Sequence, residues 1–138
     1  YSEKARRCIG AAREFVRSKG FEPTPDGIRN CRLAIANLPD GHPAREAMIF
    51  KDFFSTSECR DLIMHVQEHT FTLPGIAECL EKLGLRFLCL QCDDPIQIRF
   101  RAMFPDPRAL TDLAAWDRFE QANPDTFKAM YQFWCCRK

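Results

Sequence analysis

The sequence has no uninterrupted apolar run near the roughly 20 residues that a membrane-spanning helix needs. Its first residues, Tyr1-Ser2-Glu3-Lys4, carry none of the hydrophobic segment of a signal peptide. A soluble, cytoplasmic protein is the expectation. Net charge is nearly absent, with 20 Lys and Arg against 19 Asp and Glu leaving +1. No bulk field therefore draws the chain to nucleic acid or to an anionic membrane. Glycine is scarce, six in 138 residues, and no two stand in a Gly-x-Gly. The glycine-rich phosphate cradle of dinucleotide-type folds is thus missing. There is no internal repeat, no low-complexity tract, and no initiating methionine before Tyr1, so a segment of a longer protein is expected.

What is present is one domain's worth of sequence, long enough to bury a sizeable core. Eight cysteines would suit a secreted disulfide scaffold, but 46% hydrophobic residues can form a core without covalent staples. The cysteines therefore read as reduced, mostly buried thiols.

Helical signals dominate the first two thirds. Ser2 is placed to cap a helix running to Lys19 and closed by Gly20, with Ile9, Ala12, Phe15 and Val16 on its apolar face and its arginines in solvent. Thr24-Pro25 opens a second helix with Ile28, Cys31, Ile35 and Leu38 inward. A shorter one is expected over residues 44–53. Ser55-Thr56-Ser57-Glu58 reads as a capping box that starts the next helix. Thr72-Leu73-Pro74 begins another, ended by Gly84. Leu85 to Cys92 is nearly all apolar, as suits a strand buried on both faces. Asp94-Pro95 and Asp106-Pro107 lead into two more helices, the second through Leu113, Trp116 and Phe119, and Met130 to Cys136 is a second strand. Two strands alone make a poor sheet, so they are expected to belong to a larger one.

His65-Val66-Gln67-Glu68-His69 spells H-x-x-E-H, the metal signature of the inverzincin peptidases. On a helix the two histidines lie four residues apart on one side and can reach one metal. Such a site needs a third, acidic ligand from another helix, and the acids downstream, such as Asp117 and Glu120, sit on ordinary charged faces or in loops. On a helical wheel His65 and His69 flank the stripe of Cys59, Leu62, Ile63 and Val66. Three readings stay open: histidines hydrogen-bonded at a helix margin, a polar cluster facing a substrate, and a zinc peptidase. Cys89-Leu90-Gln91-Cys92 has C-x-x-C spacing, and Cys135-Cys136 comes beside it if the two strands pair. Residues three apart on a strand point to opposite faces, about 10 Å apart, so buried thiols are expected there, not a metal or redox site.

Long phrases of the sequence resemble a known family. "YSEKAR" at Tyr1 to Arg6, "DFFSTSECRDLIMHVQEHTFTLPGI" at Asp52 to Ile76, "GLRFL" at Gly84 to Leu88 and "WDRFEQANPDTFKAMYQFW" at Trp116 to Trp134 look like the C-terminal part of bacterial class I S-adenosylmethionine-dependent methyltransferases, a family often joined to tetratricopeptide repeats. The resemblance implies an α/β fold, mostly helical, with two antiparallel strands at about 85–92 and 129–136 as the end of a Rossmann-like sheet. It implies one domain or domain fragment over 1–138, with a helical insertion over 2–83 and the final strands and helices over 84–138. Tyr1-Ser2 would be the exit of the fifth strand. S-adenosylmethionine would be held by a region absent from this chain, which alone would be inactive. His65 and His69 become the candidate proton acceptors, since imidazole exchanges protons near neutrality. Arg60, Glu68 and Tyr1 become candidates for orienting a methyl acceptor. No residue is assigned to the cofactor or to a metal, and exposed strand edges would make the isolated chain self-associate. The alternative is a helical interaction module without catalysis, docking through Tyr131, Phe133 and Trp134.

Overall fold

The computed structural model describes residues 1–64, 67–124, 126–127 and 130–138. The chain divides into two compact units, one of Arg6–Glu68 and one of Tyr1–Ala5 with His69–Lys138. It is mostly helical with one two-stranded antiparallel sheet. Among the described residues no helix is long and apolar enough to cross a membrane.

In the Arg6–Glu68 unit, helix α1 spans Arg7–Lys19 and α2 spans Pro25–Ala36. α1 ends as its sequence dictates, at Gly20 in the left-handed region with φ 68°. Its start differs from expectation. Ser2 does not cap it; Arg6 holds the cap position without a side-chain bond, and Ser2 is used elsewhere. α2 begins as read, with the Thr24 hydroxyl accepting from the Gly27 amide and Pro25 in the first turn. Ile28, Cys31 and Ile35 are buried.

The helix expected over 44–53 is instead two 3-10 segments, Pro43–Ile49 and Lys51–Phe54. The first is tightened at its head, where His42 Nδ1 accepts from the Ala44 amide. Ala12, Ala44 and Ala47 are fully buried, so small side chains meet where α1 and this segment pack. Ser55 then caps the four-residue α3, Thr56–Cys59, through the Glu58 amide. The reciprocal half of the capping box is not formed, because the Ser55 amide donates to the Asp52 carbonyl.

α3 gives way to a π-type turn, Arg60–Met64, and residues 67–70 are non-helical. The H-x-x-E-H stretch is therefore not one continuous helix, and His69 does not have the helical-wheel position the sequence assigned it. The cause lies just downstream. Phe71 pairs with the chain's first residues, its amide donating to the Tyr1 carbonyl while its carbonyl accepts from the Glu3 amide, and this requires extended backbone.

In the other unit, α4 spans Leu73–Lys82, capped by Thr72, and Gly84 (φ 65°) turns the chain into β1, Leu85–Leu90. α5 spans Asp94–Met103, a 3-10 segment covers Pro107–Thr111, α6 spans Leu113–Ala122 and β2 spans Phe133–Arg137. The strands pair antiparallel, Leu85 opposite Arg137 and Leu90 opposite Phe133, with an irregularity between Phe87 and Cys89. β1 is shorter than read and is not buried on both faces. Phe87 and Leu90 are buried, whereas Arg86 and Leu88 face solvent. The core is aromatic: Trp116 stacks on Phe100 with ring centroids 3.7 Å apart, and Phe119 meets both edge-on. The Trp116 indole N–H donates to the Leu110 carbonyl, so its one polar atom is satisfied.

Candidate functional site

Arg6 and Arg13 lie seven residues apart, two turns along the start of α1, and so project from one side of it. The sequence placed the arginines of this helix in solvent. Arg7 and Arg17 are exposed, but the side chains of Arg6 and Arg13 are only 10% and 21% exposed. Arg13 reaches the π-type turn, where its Nε and Nη2 donate to the Leu62 carbonyl at 3.2 and 2.9 Å. A wide turn leaves carbonyls without helical partners, and a guanidinium fork satisfies one here.

That anchoring brings in Glu68. Its Oε2 accepts from Arg13 Nη2 at 2.9 Å, and its Oε1 lies 3.1 Å from Arg6 Nε. The Arg6 guanidinium also sits over the Phe50 ring, 5.4 Å from its centroid. Beside this triad opens a cleft of about 430 Å³ with Arg13, Arg17 and Glu68 as its polar wall and Val16, Phe21 and Met64 among its apolar lining. Two guanidinium charges against one carboxylate leave a positive surplus in a half-apolar setting. Such a cleft can orient an anionic or electron-rich group on an apolar body. Glu68 is hydrogen-bonded through Oε2 to Arg13, while its buried Oε1 meets Arg6 as an ion pair without hydrogen-bond geometry, so its role is to hold the two arginines.

The other residues nominated by sequence are placed separately. Arg60 is exposed, pairs with Asp61 and does not line the cleft. Tyr1 is half-buried, and its backbone nitrogen donates to the His69 carbonyl at 3.2 Å. His69 is exposed, and its ring has no hydrogen-bond partner among the described residues. His65 lies outside the described residues. Glu68 belongs to the Arg6–Glu68 unit, and Tyr1 and His69 to the other. Among the described residues no three His, Cys, Asp or Glu gather as metal ligands.

No protein-family model and no curated protein matches the chain.

A second polar cluster was missed by the sequence. Glu120, read as part of a charged helix face, is 1% exposed. Its Oε1 accepts from the Ser2 hydroxyl at 2.8 Å and the Tyr131 hydroxyl at 2.6 Å, and its Oε2 accepts from Lys4 Nζ at 3.2 Å. Burial and the hydrogen bond to Glu120 push the Tyr131 phenol well above its ordinary range. The only hint in the sequence is that Glu120 follows Trp116 at helical spacing on the buried side of α6. Its partners lie up to 118 positions away, so no local pattern could have found them.

The expectation of mostly buried thiols holds for three of the eight cysteines only, since Cys79 and Cys135 are exposed and Cys89, Cys92 and Cys136 are half-buried. No disulfide joins the described cysteines, and Cys8, Cys31 and Cys59 are buried. Burial, with Cys59 nearby, pushes the Cys31 thiol up to about 12. In the sheet Cys136 lies opposite Arg86 and accepts from its Nη2 at 3.6 Å, while Cys89 lies opposite Trp134, so the strands do not place Cys89 opposite Cys135.

Proposed function

We propose that this chain is the acceptor-side, C-terminal segment of an S-adenosylmethionine-dependent methyltransferase with a Rossmann-like sheet, and that the cleft beside Glu68 orients the methyl acceptor. The reading rests on the four long phrases that resemble this family. The observation that carries it from sequence to structure is the sheet: β1 and β2 run antiparallel and each is paired along one edge only among the described residues. Two such strands suit the end of a larger sheet better than a finished one.

The residues present do not fit the cofactor. The chain has no Gly-x-Gly, and its positive-φ glycines, Gly20, Gly41 and Gly84, stand singly at turns and helix ends, so among the described residues no glycine-rich turn forms a phosphate cradle. The contribution assigned to this chain is positional. Methyl transfer is a displacement that gains most from holding the acceptor in line. The Arg6–Glu68–Arg13 triad gives that hold rigidity.

Two measurements test this. Titration calorimetry of the 138-residue chain with S-adenosylmethionine is expected to show no micromolar binding; micromolar binding would overturn the reading. The coding sequence upstream of Tyr1 is expected to hold a strand, a Gly-x-Gly turn and an acid about twenty residues on. A stop codon or an unrelated domain directly upstream would sink it as decisively.

A further inference from the structure

The Arg6–Glu68 unit holds a second cavity, of about 460 Å³, that shares no lining residue with the cleft beside Glu68. Its volume falls in the range of small-molecule pockets. Apolar walls come from Leu33 and Ala36 of α2, from Met48, and from the Phe53–Phe54 corner, whose rings meet edge-on at 5.5 Å. The rim is unusually apolar for a surface, with Leu33 64% and Phe54 55% exposed.

Into this apolar setting α2 sends Arg29 and Arg32, three residues apart and hence neighbours on its surface. Arg29 pairs with Asp26 at an exposed site, a link worth little. Arg32 differs. It is half-buried, its guanidinium lies 6.0 Å from the Phe53 ring centroid, and it forms no ion pair among the described residues. A half-buried arginine with no counter-charge among the described residues, its guanidinium over an aromatic ring, is a receptor for a planar anion, since its fork matches both oxygens of a carboxylate. Thr56 lines the same cavity, and a threonine hydroxyl can serve as a donor.

We propose that this cavity binds a small amphipathic carboxylate, with the carboxylate on Arg32 and Arg29 and the apolar body against Leu33, Met48, Phe53 and Phe54. The site is independent of the methyltransferase reading and of the cleft that reading uses.

The test is calorimetric titration of the full chain with decanoate, decanol and inorganic phosphate. Decanoate is expected to bind at least about tenfold more tightly than decanol, the return on one charge-assisted hydrogen-bonded contact, and phosphate not at all at equal concentration. Arg32→Gln is expected to erase the preference for decanoate over decanol while leaving decanol binding unchanged. Leu33→Glu, a change at an exposed rim position that leaves the core intact, is expected to weaken decanoate about tenfold through charge repulsion. Absence of decanoate binding at millimolar concentration, equal binding of decanol, competition by phosphate, or decanoate binding unaltered in both variants would each overturn the proposal.

Discussion

Glu68 joins two segments of the Arg6–Glu68 unit through opposite oxygens of one carboxylate, Arg6 on one side and Arg13 on the other. The three side chains are between 10% and 21% exposed, so this is neither a solvated surface pair nor a fully buried one. Removing the carboxylate leaves two guanidinium groups facing each other with little water, a change expected to cost about 2–3 kcal/mol. Urea unfolding of Glu68→Gln measures this. A double-mutant cycle with Arg13→Ala is expected to return a coupling of about 1 kcal/mol or more; coupling near zero would show that the pair acts as an ordinary surface bridge.

Tyr131 gives a pH dependence of definite sign. Its phenol titrates higher in the folded chain than in the unfolded one, where it lies near 10. The folded state therefore favours the protonated form. Its contribution is fully present below about pH 10 and is lost as pH rises from there toward the folded value. The unfolding midpoint of Tyr131→Phe is expected to fall less steeply above about pH 10 than that of the parent chain. The buried Cys31 thiol acts in the same direction at lower pH: with its folded value at about 12 against an ordinary 9.0, its contribution disappears between those two values. Cys31→Ala is expected to flatten the fall in stability across that window.

Among the elements, two helical glycines look alike in sequence and differ in space. Gly10 lies inside α1, and a Cβ built there meets no atom within 4 Å. Gly27 lies in the first turn of α2, and a Cβ there would come within 2.2 Å of the Glu22 carbonyl oxygen. Gly10→Ala is therefore expected to stabilise the chain by about 0.5–1 kcal/mol, the ordinary helical gain. Gly27→Ala is expected to destabilise it, because the clash is with backbone that cannot rotate aside. Thermal melts of the two variants should shift in opposite directions.

The same contrast explains what was legible. Helix ends at Thr24-Pro25, Thr72-Leu73-Pro74, Gly20 and Gly84 were readable because each rests on a hydroxyl, a proline ring or a left-handed glycine within a few residues. The two apolar strands were readable from their composition, whereas their antiparallel pairing was implied only by the family resemblance. The end of the helix before Glu68 was not, since it depends on Phe71 pairing with Tyr1 and Glu3, at the far end of the chain. For the same reason Glu68 was nominated without its arginines, 55 positions away in the case of Arg13, and Glu120 was taken for a solvated residue. Ser2, which has the residue type of a helix cap, serves a buried carboxylate instead. Charges whose partners are distant in sequence carry no local mark of burial.

For the whole molecule the open sheet has the largest consequence. β1 and β2 form a two-stranded sheet, so among the described residues each has one backbone edge without a strand partner. Around it, Leu88, Met130 and Trp134 are exposed, Trp134 to 62%. An unpaired edge flanked by large apolar side chains is a template for another strand, and no proline or inward-pointing charge blocks β2 over Phe-Trp-Cys-Cys-Arg. The chain is thus expected to self-associate, with an average mass in sedimentation equilibrium that rises with concentration across the tens of micromolar. Trp134→Lys places a charge on that exposed surface, away from the aromatic core around Trp116, and should return the chain to monomer without lowering its melting temperature. Arg60→Glu, an equally exposed change in the other unit, should leave the association unaltered. A chain that stays monomeric throughout this range would mean that its edges are protected as they stand, and the need for a larger sheet, on which the methyltransferase reading draws, would lose its structural support.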